Sequence, residues 1–339
     1  MKIALLVDWM EDGRWPLYRA LKAIGIQVSL IHTNSSRPSR SKALKVLQPL
    51  LSFWRVAVFA VVESREYHAV FSWSMRLAVY YGLLNRILLR KVRPRHIVRD
   101  FHLTLDRKIW SYRLRIALLR MAMPGIDYYM CTSRAEIQIY HDMFGFGRDR
   151  IRFYPDSAPQ SYLDIGHLEE TKDYVLSYGN SDRDFDTLVA AAEGIDKEII
   201  ILSQNYIPQR PLPGNVKLIT KKVSEENLIE LIRSARVVVL PMQGYRVAAG
   251  QNTMLETMAL GRPLVVTSNL ATIEYGRHGE TALFFDPGDS ETLSRHVNFL
   301  LQEREKAAKM GLAAREAVRH LFEDQLRIIT QILEDTRKA

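Results

Sequence analysis

Cysteine is almost missing from this chain: 339 residues contain one, Cys131. A lone thiol excludes a disulfide-stapled scaffold and a thiolate zinc site, and it suits a reducing compartment. Cys131 itself, at the end of an apolar run, is expected to be buried. The nine histidines fall at no metal-ligand spacing. Long apolar runs are absent too. The most lipid-like stretch, 43–62, is interrupted by Lys45, Gln48, Pro49, Ser52 and Arg55. Its longest unbroken run, Val56–Val62, is far short of the roughly 20 residues of a spanning helix. The opening MKIALLVDW holds one lysine and a short run that ends at Asp8, so it reads as a first strand and not as a signal peptide. No GxxxxGK[ST] loop, no GxGxxG after a strand, no GxSxG elbow and no HExxH pair occurs, and no fixed-period repeat suggests a solenoid.

What is present is an ordinary globular composition, 47% apolar and 25% charged. That apolar fraction can offset chain entropy, and the length suits two domains. The net charge of +9 is unevenly placed. Residues 1–160 carry 26 Lys and Arg against 12 Asp and Glu, whereas 161–339 carry 21 against 26. From Arg86 to Arg120, eleven basic residues meet only Asp100 and Asp106, with Phe101, Trp110 and Tyr112 interleaved. Such a stretch is either a set of solvated helix faces or a docking face for an anionic membrane or a lipid diphosphate. No zinc-finger spacing, RNP aromatic pattern or GxxG clamp accompanies it, so nucleic acid is not expected as a partner.

Short apolar runs alternate with segments of helical period. The first set is Ile3–Val7, Val28–Ile31, Ala69–Phe71, His96–Val98, Tyr128–Cys131 and Arg152–Tyr154. After a connector, Pro155–Thr171, a second set follows: Tyr174–Tyr178, Ile199–Leu202, Val216–Thr220, Val237–Pro241, Leu264–Thr267 and Leu283–Phe285. Runs without in/out alternation are strands covered on both faces, so each set predicts a doubly wound parallel sheet. The expectation is α/β, with domains at 1–160 and 161–320, a ligand cleft between them, and a C-terminal helix at 321–339 that packs back on the first domain. Gly311 is a candidate break in the helical tail.

The strongest local pattern is Gly250-Gln251-Asn252-Thr253-Met-Leu-Glu256-Thr-Met-Ala-Leu-Gly261-Arg-Pro263. A glycine turn here opens a helix whose first amides lack partners and carry the positive end of the dipole, an arrangement that binds phosphate. Gly261 closes that helix as a left-handed cap. Spacing alone leaves two roles for Glu256: ligand binding, or the carboxylate of a capping box with Thr253.

Together with Ile273-Glu274, His278-Gly279 and Asp286-Pro287-Gly288-Asp289, this pattern resembles the donor half of retaining glycosyltransferases of GT-B architecture, family 4 (glycosyl transferases group 1). The resemblance implies two Rossmann-like domains facing a central cleft, with nucleotide-sugar binding in the second. It implies that Glu256 holds the ribose hydroxyls and that the turn at Gly250, Gln251, Asn252 and Thr253 holds the diphosphate. A second match is Tyr178-Gly179-Asn180-Ser-Asp-Arg183, where the family has two cations that grip the diphosphate. Arg183 takes one of those places and Asn180 stands at the other. Asp184-Phe-Asp186 is a DxD, but it follows a strand and opens a helix, where Asp184 serves as an N-cap. In the first half, Ile97-Val-Arg-Asp-Phe-His102 resembles the segment with a histidine near the transferred sugar. Asp12-Gly13-Arg14 matches the loop that lines the acceptor side, without the family's paired glycines. One departure stands out: Ala248 occupies the place of a glutamate that touches the sugar, and Gln251 or Arg246 could supply that contact.

The implied activity is transfer of a hexose from a nucleoside-diphosphate sugar to a glycan or lipid-linked acceptor with retained anomeric configuration. Arg183 and His102 would be the catalytic residues. The resemblance implies no cofactor and no metal; the lone thiol and the basic first half point to the cytoplasm or the inner face of a membrane, with an anionic membrane surface as a candidate partner of the N-terminal domain. A nucleotide-sugar epimerase of the same fold, or a non-catalytic subunit with a degenerate donor site, are the alternatives.

Overall fold

The computed structural model describes residues 1–8, 16–33, 51–88, 94–99, 111–147, 149–165, 171–244 and 249–338. The chain divides into two units, Met1–Pro155 with Asp324–Ala339, and Asp156–Glu323.

In the first unit the strands are β1 (Lys2–Val7), β2 (Gln27–His32), β3 (Ala69–Ser72), β4 (Arg95–Val98), β5 (Tyr128–Cys131) and β6 (Ile151–Phe153). They form one sheet in the order β2-β1-β3-β4-β5-β6, every pair parallel. Each run expected from the sequence became a strand within a residue or two; the inner strands β1, β3 and β4 are buried along nearly their whole length, as strands covered by helices on both faces are, whereas the edge strand β2 is only partly buried. Cys131 ends β5 and is buried. On one face of the sheet, helix Pro16–Ala23 and the C-terminal residues Ile329, Ile332 and Leu333 cover Ile3, Leu5 and Phe71. The other face is covered by the helical segment 51–63, then Met75–Leu88, Ser111–Ala122 and Arg134–Phe144.

The second unit holds β7 (Tyr174–Tyr178), β8 (Glu198–Leu202), β9 (Val216–Ile219), β10 (Val237–Leu240), β11 (Leu264–Thr267) and β12 (Leu283–Phe285). Their order is β12-β11-β10-β7-β8-β9, again all parallel. The direction of winding reverses between β7 and β10. Ligands of such sheets bind at the carboxyl ends of the strands flanking that switch. Here those ends lead into Gly179 and into the segment before Gly250.

The connector 155–171 contains a short helix, Gln160–Asp164, that buries Tyr162 and Leu163. One expectation is corrected. Gly311 does not break the tail, since Arg304–Lys338 is one continuous helix. Glycine serves there by lacking a side chain: a Cβ at position 311 would fall on the carbonyl oxygen of Gly261. The helix therefore packs directly on the turn that ends helix Gln251–Ala259.

Helix propensity alone would make Gly311→Ala stabilising by about 1 kcal/mol. The collision with Gly261 should outweigh it, as overpacking costs about 1–3 kcal/mol. Thermal unfolding should show a lower Tm for Gly311→Ala than for the parent chain.

Candidate functional site

Three strand-end loops of the second unit meet at its switch point. After β7 the chain turns through Gly179, with φ +123°, and Asp182, with φ +55°. Asp184 then caps helix Phe185–Ala191 by accepting from the amide of Thr187 (3.1 Å) and from its hydroxyl (2.6 Å). Asp186 accepts from the Tyr206 hydroxyl at 2.7 Å. Both carboxylates of the DxD are thus engaged locally, beside an open hollow of about 520 Å³ lined by Asn180, Arg183, Tyr206 and Gln243.

The tight turn aims the Arg183 side chain back beneath β7. Its Nε donates to the Tyr178 carbonyl (3.1 Å), Nη1 to the Ser181 carbonyl (2.6 Å) and to Met242 Sδ (3.1 Å), and Nη2 to Thr253 Oγ1 (2.8 Å). Room for the guanidinium comes from Gly179, where a Cβ would lie 2.7 Å from Nε and 2.8 Å from Cζ. Asn180 is held elsewhere: its side-chain oxygen accepts from Ser203 Oγ (3.2 Å) and the Gln204 amide (2.8 Å).

Helix Gln251–Ala259 begins at Gly250, whose φ of +92° turns the chain into it. Met242 Sδ would lie 3.0 Å from a Cβ at that position. The first intrahelical bond runs from the Met254 amide to the Gly250 carbonyl at 2.9 Å, so the amides of Gln251, Asn252 and Thr253 precede the helical ladder. With Gly250 at the cap, Thr253 lies inside the first turn and the capping-box reading of Glu256 does not hold. Glu256 instead accepts from the Tyr178 hydroxyl at 3.3 Å. That hydroxyl is also 3.1 Å from the Thr253 carbonyl and 3.2 Å from Thr257 Oγ1.

Arg183 brings its charge to the positive end of a helix dipole. Among the described residues no carboxylate lies within ion-pair distance of it, and burial pulls its pKa down. Two positive features are thereby held together, partly desolvated, without a direct counter-ion. Burial likewise pushes Glu256 up to about 7, against the Tyr178 hydrogen bond, which favours its charged form. A cationic floor beside a carboxyl that can accept hydroxyl protons suits a phosphorylated sugar or nucleoside.

Tyr178, Thr267 and Asn269 were not singled out in the sequence. Thr267 Oγ1, at the end of β11, accepts from the Met242 amide at 2.9 Å. Asn269 Oδ1 accepts from the amides of Ala271 (2.8 Å) and Thr272 (2.9 Å) while its Nδ2 holds the Ala249 carbonyl at 3.1 Å. An Asn three residues before a Thr at a helix start is a legible local cap; its reach to Ala249 is not. Of the sequence candidates, Gly179, Asn180, Arg183, Gly250, Gln251, Asn252, Thr253 and Glu256 lie around this switch point. Asp12, Gly13, Arg14, His102, Arg246 and Ala248 lie outside the described residues.

Comparison with known proteins bears on the fold and on the second unit. Residues 203–317 match the family model described as Glycosyl transferases group 1. Mannosylfructose-phosphate synthase of Agrobacterium fabrum is 30% identical over 203 residues, 56% of this chain and 41% of that protein. The chain thus spans about two fifths of that curated relative's length. Among solved structures, sucrose-phosphate synthase from Thermosynechococcus elongatus superposes with a TM-score of 0.71 at 16% identity, covering 98% of each chain. Anabaena HepE in complex with UDP-glucose gives 0.68 at 15% identity, covering 100% of this chain and 99% of that one. The fold is that of GT-B glycosyltransferases, two Rossmann-like units, and the segment 203–317 is of the group 1 kind.

The raised Glu256 pKa has a stability consequence. Between the ordinary carboxylate range and about pH 7 the folded chain holds a proton that the unfolded chain has lost. Stability therefore falls as pH rises through that window. Glu256→Gln removes the penalty, so in thermal unfolding without ligand it should be more stable than the parent at pH 8, by up to roughly 3 kcal/mol. The two curves should converge once the pH falls below the ordinary carboxylate range.

Proposed function

We propose that this chain is a glycosyltransferase that takes a hexose from a nucleoside-diphosphate sugar and passes it to a glycan or lipid-linked acceptor. The observation that carries the reading is the convergence of Arg183 with the start of helix Gln251–Ala259, joined through Thr253 at 2.8 Å. A diphosphate is the ligand that neutralises both. Bound there, it would set its nucleoside toward Glu256, whose carboxylate can accept from two ribose hydroxyls once ionised. The likeness to HepE, solved with UDP-glucose, favours a nucleotide sugar over a simple phosphate ester.

In such a transfer the bond between the sugar's anomeric carbon and the diphosphate oxygen breaks, and the diphosphate departs with the electron pair. An acceptor hydroxyl on the same face as the departing diphosphate forms the new bond to that carbon and gives its proton to the departing phosphate, and attack from that face retains the configuration. The charge that grows on the diphosphate meets Arg183 and the helix amides already in place, and such preorganised donors stabilise a leaving group without reorganisation. Neither Asp184 nor Asp186 has a part in this step, since each is engaged in holding the loop. A cytoplasmic site of action fits the single buried thiol.

A thermal-shift panel of UDP, GDP and ADP tests the reading. One of them should raise the Tm, by an amount equivalent to about 2.7 kcal/mol at a hundredfold excess over its Kd. Glu256→Ala should abolish most of that shift. No stabilisation by any nucleoside diphosphate would count against the assignment.

Arg183→Lys keeps a charge but loses the planar fork. It should lower kcat on the order of 10²-fold while nucleotide still binds. Near-normal turnover of Arg183→Lys would remove the guanidinium from the reaction.

A further inference from the structure

Among the described residues thirteen large apolar side chains stand exposed, and nine of them lie on three neighbouring helical segments of the first unit. Five are on 51–63, including Trp54 at 66% and Val62 at 69% exposure; Ile87 is on Met75–Leu88; Leu114, Leu118 and Met121 are on Ser111–Ala122. On 51–63 and on Ser111–Ala122 their spacing is helical, so each of these two segments presents one apolar stripe outward, and Ile87 stands exposed on the helix between. The opposite stripes, with Val56, Phe59, Leu77 and Leu119, are buried toward the sheet. The three segments lie side by side. Phe53 meets Tyr80 edge-on at 5.3 Å between ring centres, and a Cβ at Gly82 would lie 3.0 Å from the Ala122 carbonyl oxygen. Arg86 Nη1 donates to the Met121 carbonyl at 3.0 Å.

Charge on this face has one sign. Met75–Leu88 and Ser111–Ala122 contain no Asp or Glu, and they carry Arg76, Arg86, Arg113, Arg115 and Arg120, all exposed. The nearest described carboxylates along the chain are Glu63, which ends the first segment, Glu66, paired to Lys2 at 2.7 Å, and Asp127, five residues past Ala122 and paired to Arg95 at 3.1 Å, while Asp8 pairs with Arg76 at 2.7 Å. An apolar stripe flanked by arginines whose stems can lie along it, with no acid between, is the make-up of a helix that rests in a lipid headgroup layer. A second copy of the chain would bring like charge against like, and an apolar patch of this extent is seldom left to water. No described helix is long and apolar enough to cross a bilayer.

We propose that this face docks the chain on an anionic lipid bilayer, with Trp54, Ile87, Leu118 and Met121 entering the headgroup layer and Arg86, Arg113 and Arg115 facing acidic lipid. Docking is independent of the nucleotide reading, because no residue of the switch point in the second unit takes part. The test is co-flotation of the full chain with vesicles of phosphatidylcholine alone or with phosphatidylglycerol added. The chain should float only with the anionic vesicles, and added salt should weaken it. Leu118→Ser/Met121→Ser and Arg113→Gln/Arg115→Gln should each lower the bound fraction by at least about tenfold, with the Tm and any nucleotide-induced shift unchanged. Equal binding to both vesicle types, or no flotation, overturns the proposal. So does self-association in sedimentation velocity that Leu118→Ser/Met121→Ser abolishes, which would assign the face to a second copy. If the apolar double variant fails to fold, the arginine pair decides: full flotation of Arg113→Gln/Arg115→Gln overturns the proposal.

Discussion

A single guanidinium ties the switch point of the second unit together. Arg183 leaves the loop after β7 and binds the end of that strand, Met242 just past β10, and Thr253 in the first turn of helix Gln251–Ala259. Those are the elements on either side of the sheet's switch point. The position of the helix start relative to β7 follows from this clamp and from the glycines that make room for it. Gly179 must lack a Cβ beneath the guanidinium, and Gly250 must turn tightly beside Met242. A carboxylate could have neutralised Arg183, and among the described residues none is in contact with it. The cation is instead held by neutral acceptors, which keep its geometry and leave its charge for a ligand.

Glu256 is the counterpart of that choice. It sits one turn along the same helix, close enough to feel Arg183 but not bonded to it, and burial raises its pKa to about 7. The Tyr178 hydroxyl is its hydrogen-bond partner. An acid and a base held apart at one site, both desolvated, destabilise the empty protein and favour a ligand that engages each separately. Strain of this kind is expected at a binding site and would be selected against elsewhere. The same economy of small residues appears behind the site, where Gly311 lets the long C-terminal helix reach the Gly261 turn.

The two units divide their surfaces differently. The second is acidic in total, and Arg183 stands at the end of β7 beside its switch point. The first carries two neighbouring helices free of Asp and Glu, with exposed apolar residues on both. The excess of positive charge lies in the first unit, whereas the anion site we propose lies in the second. Bulk charge reports on surfaces, whereas a diphosphate responds to a few groups at fixed distances.

Much of this was legible in the amino-acid order. Twelve apolar runs without alternation became twelve parallel strands: short runs of this kind fit strands covered by helices, and only the edge strands β2 and β9 are left without a buried residue. The turn at Gly250 and the cap at Asp184 were also legible, being short-range matters of φ and of one side chain reaching three residues on. Local spacing failed where a competing partner was distant in sequence. Thr253 and Glu256 have capping-box spacing, yet Gly250 takes the cap and Tyr178, 78 residues away, takes the carboxylate. Gly311 looked like a break because the residue that makes glycine necessary there, Gly261, is invisible at short range. Only the tertiary structure decided that Arg183 meets Thr253, that Asn269 holds Ala249, and that nine exposed apolar residues share one face. Sequence determines the local geometry of each strand end and turn. Which ends converge depends on strand order, and strand order is set by packing of the whole sheet.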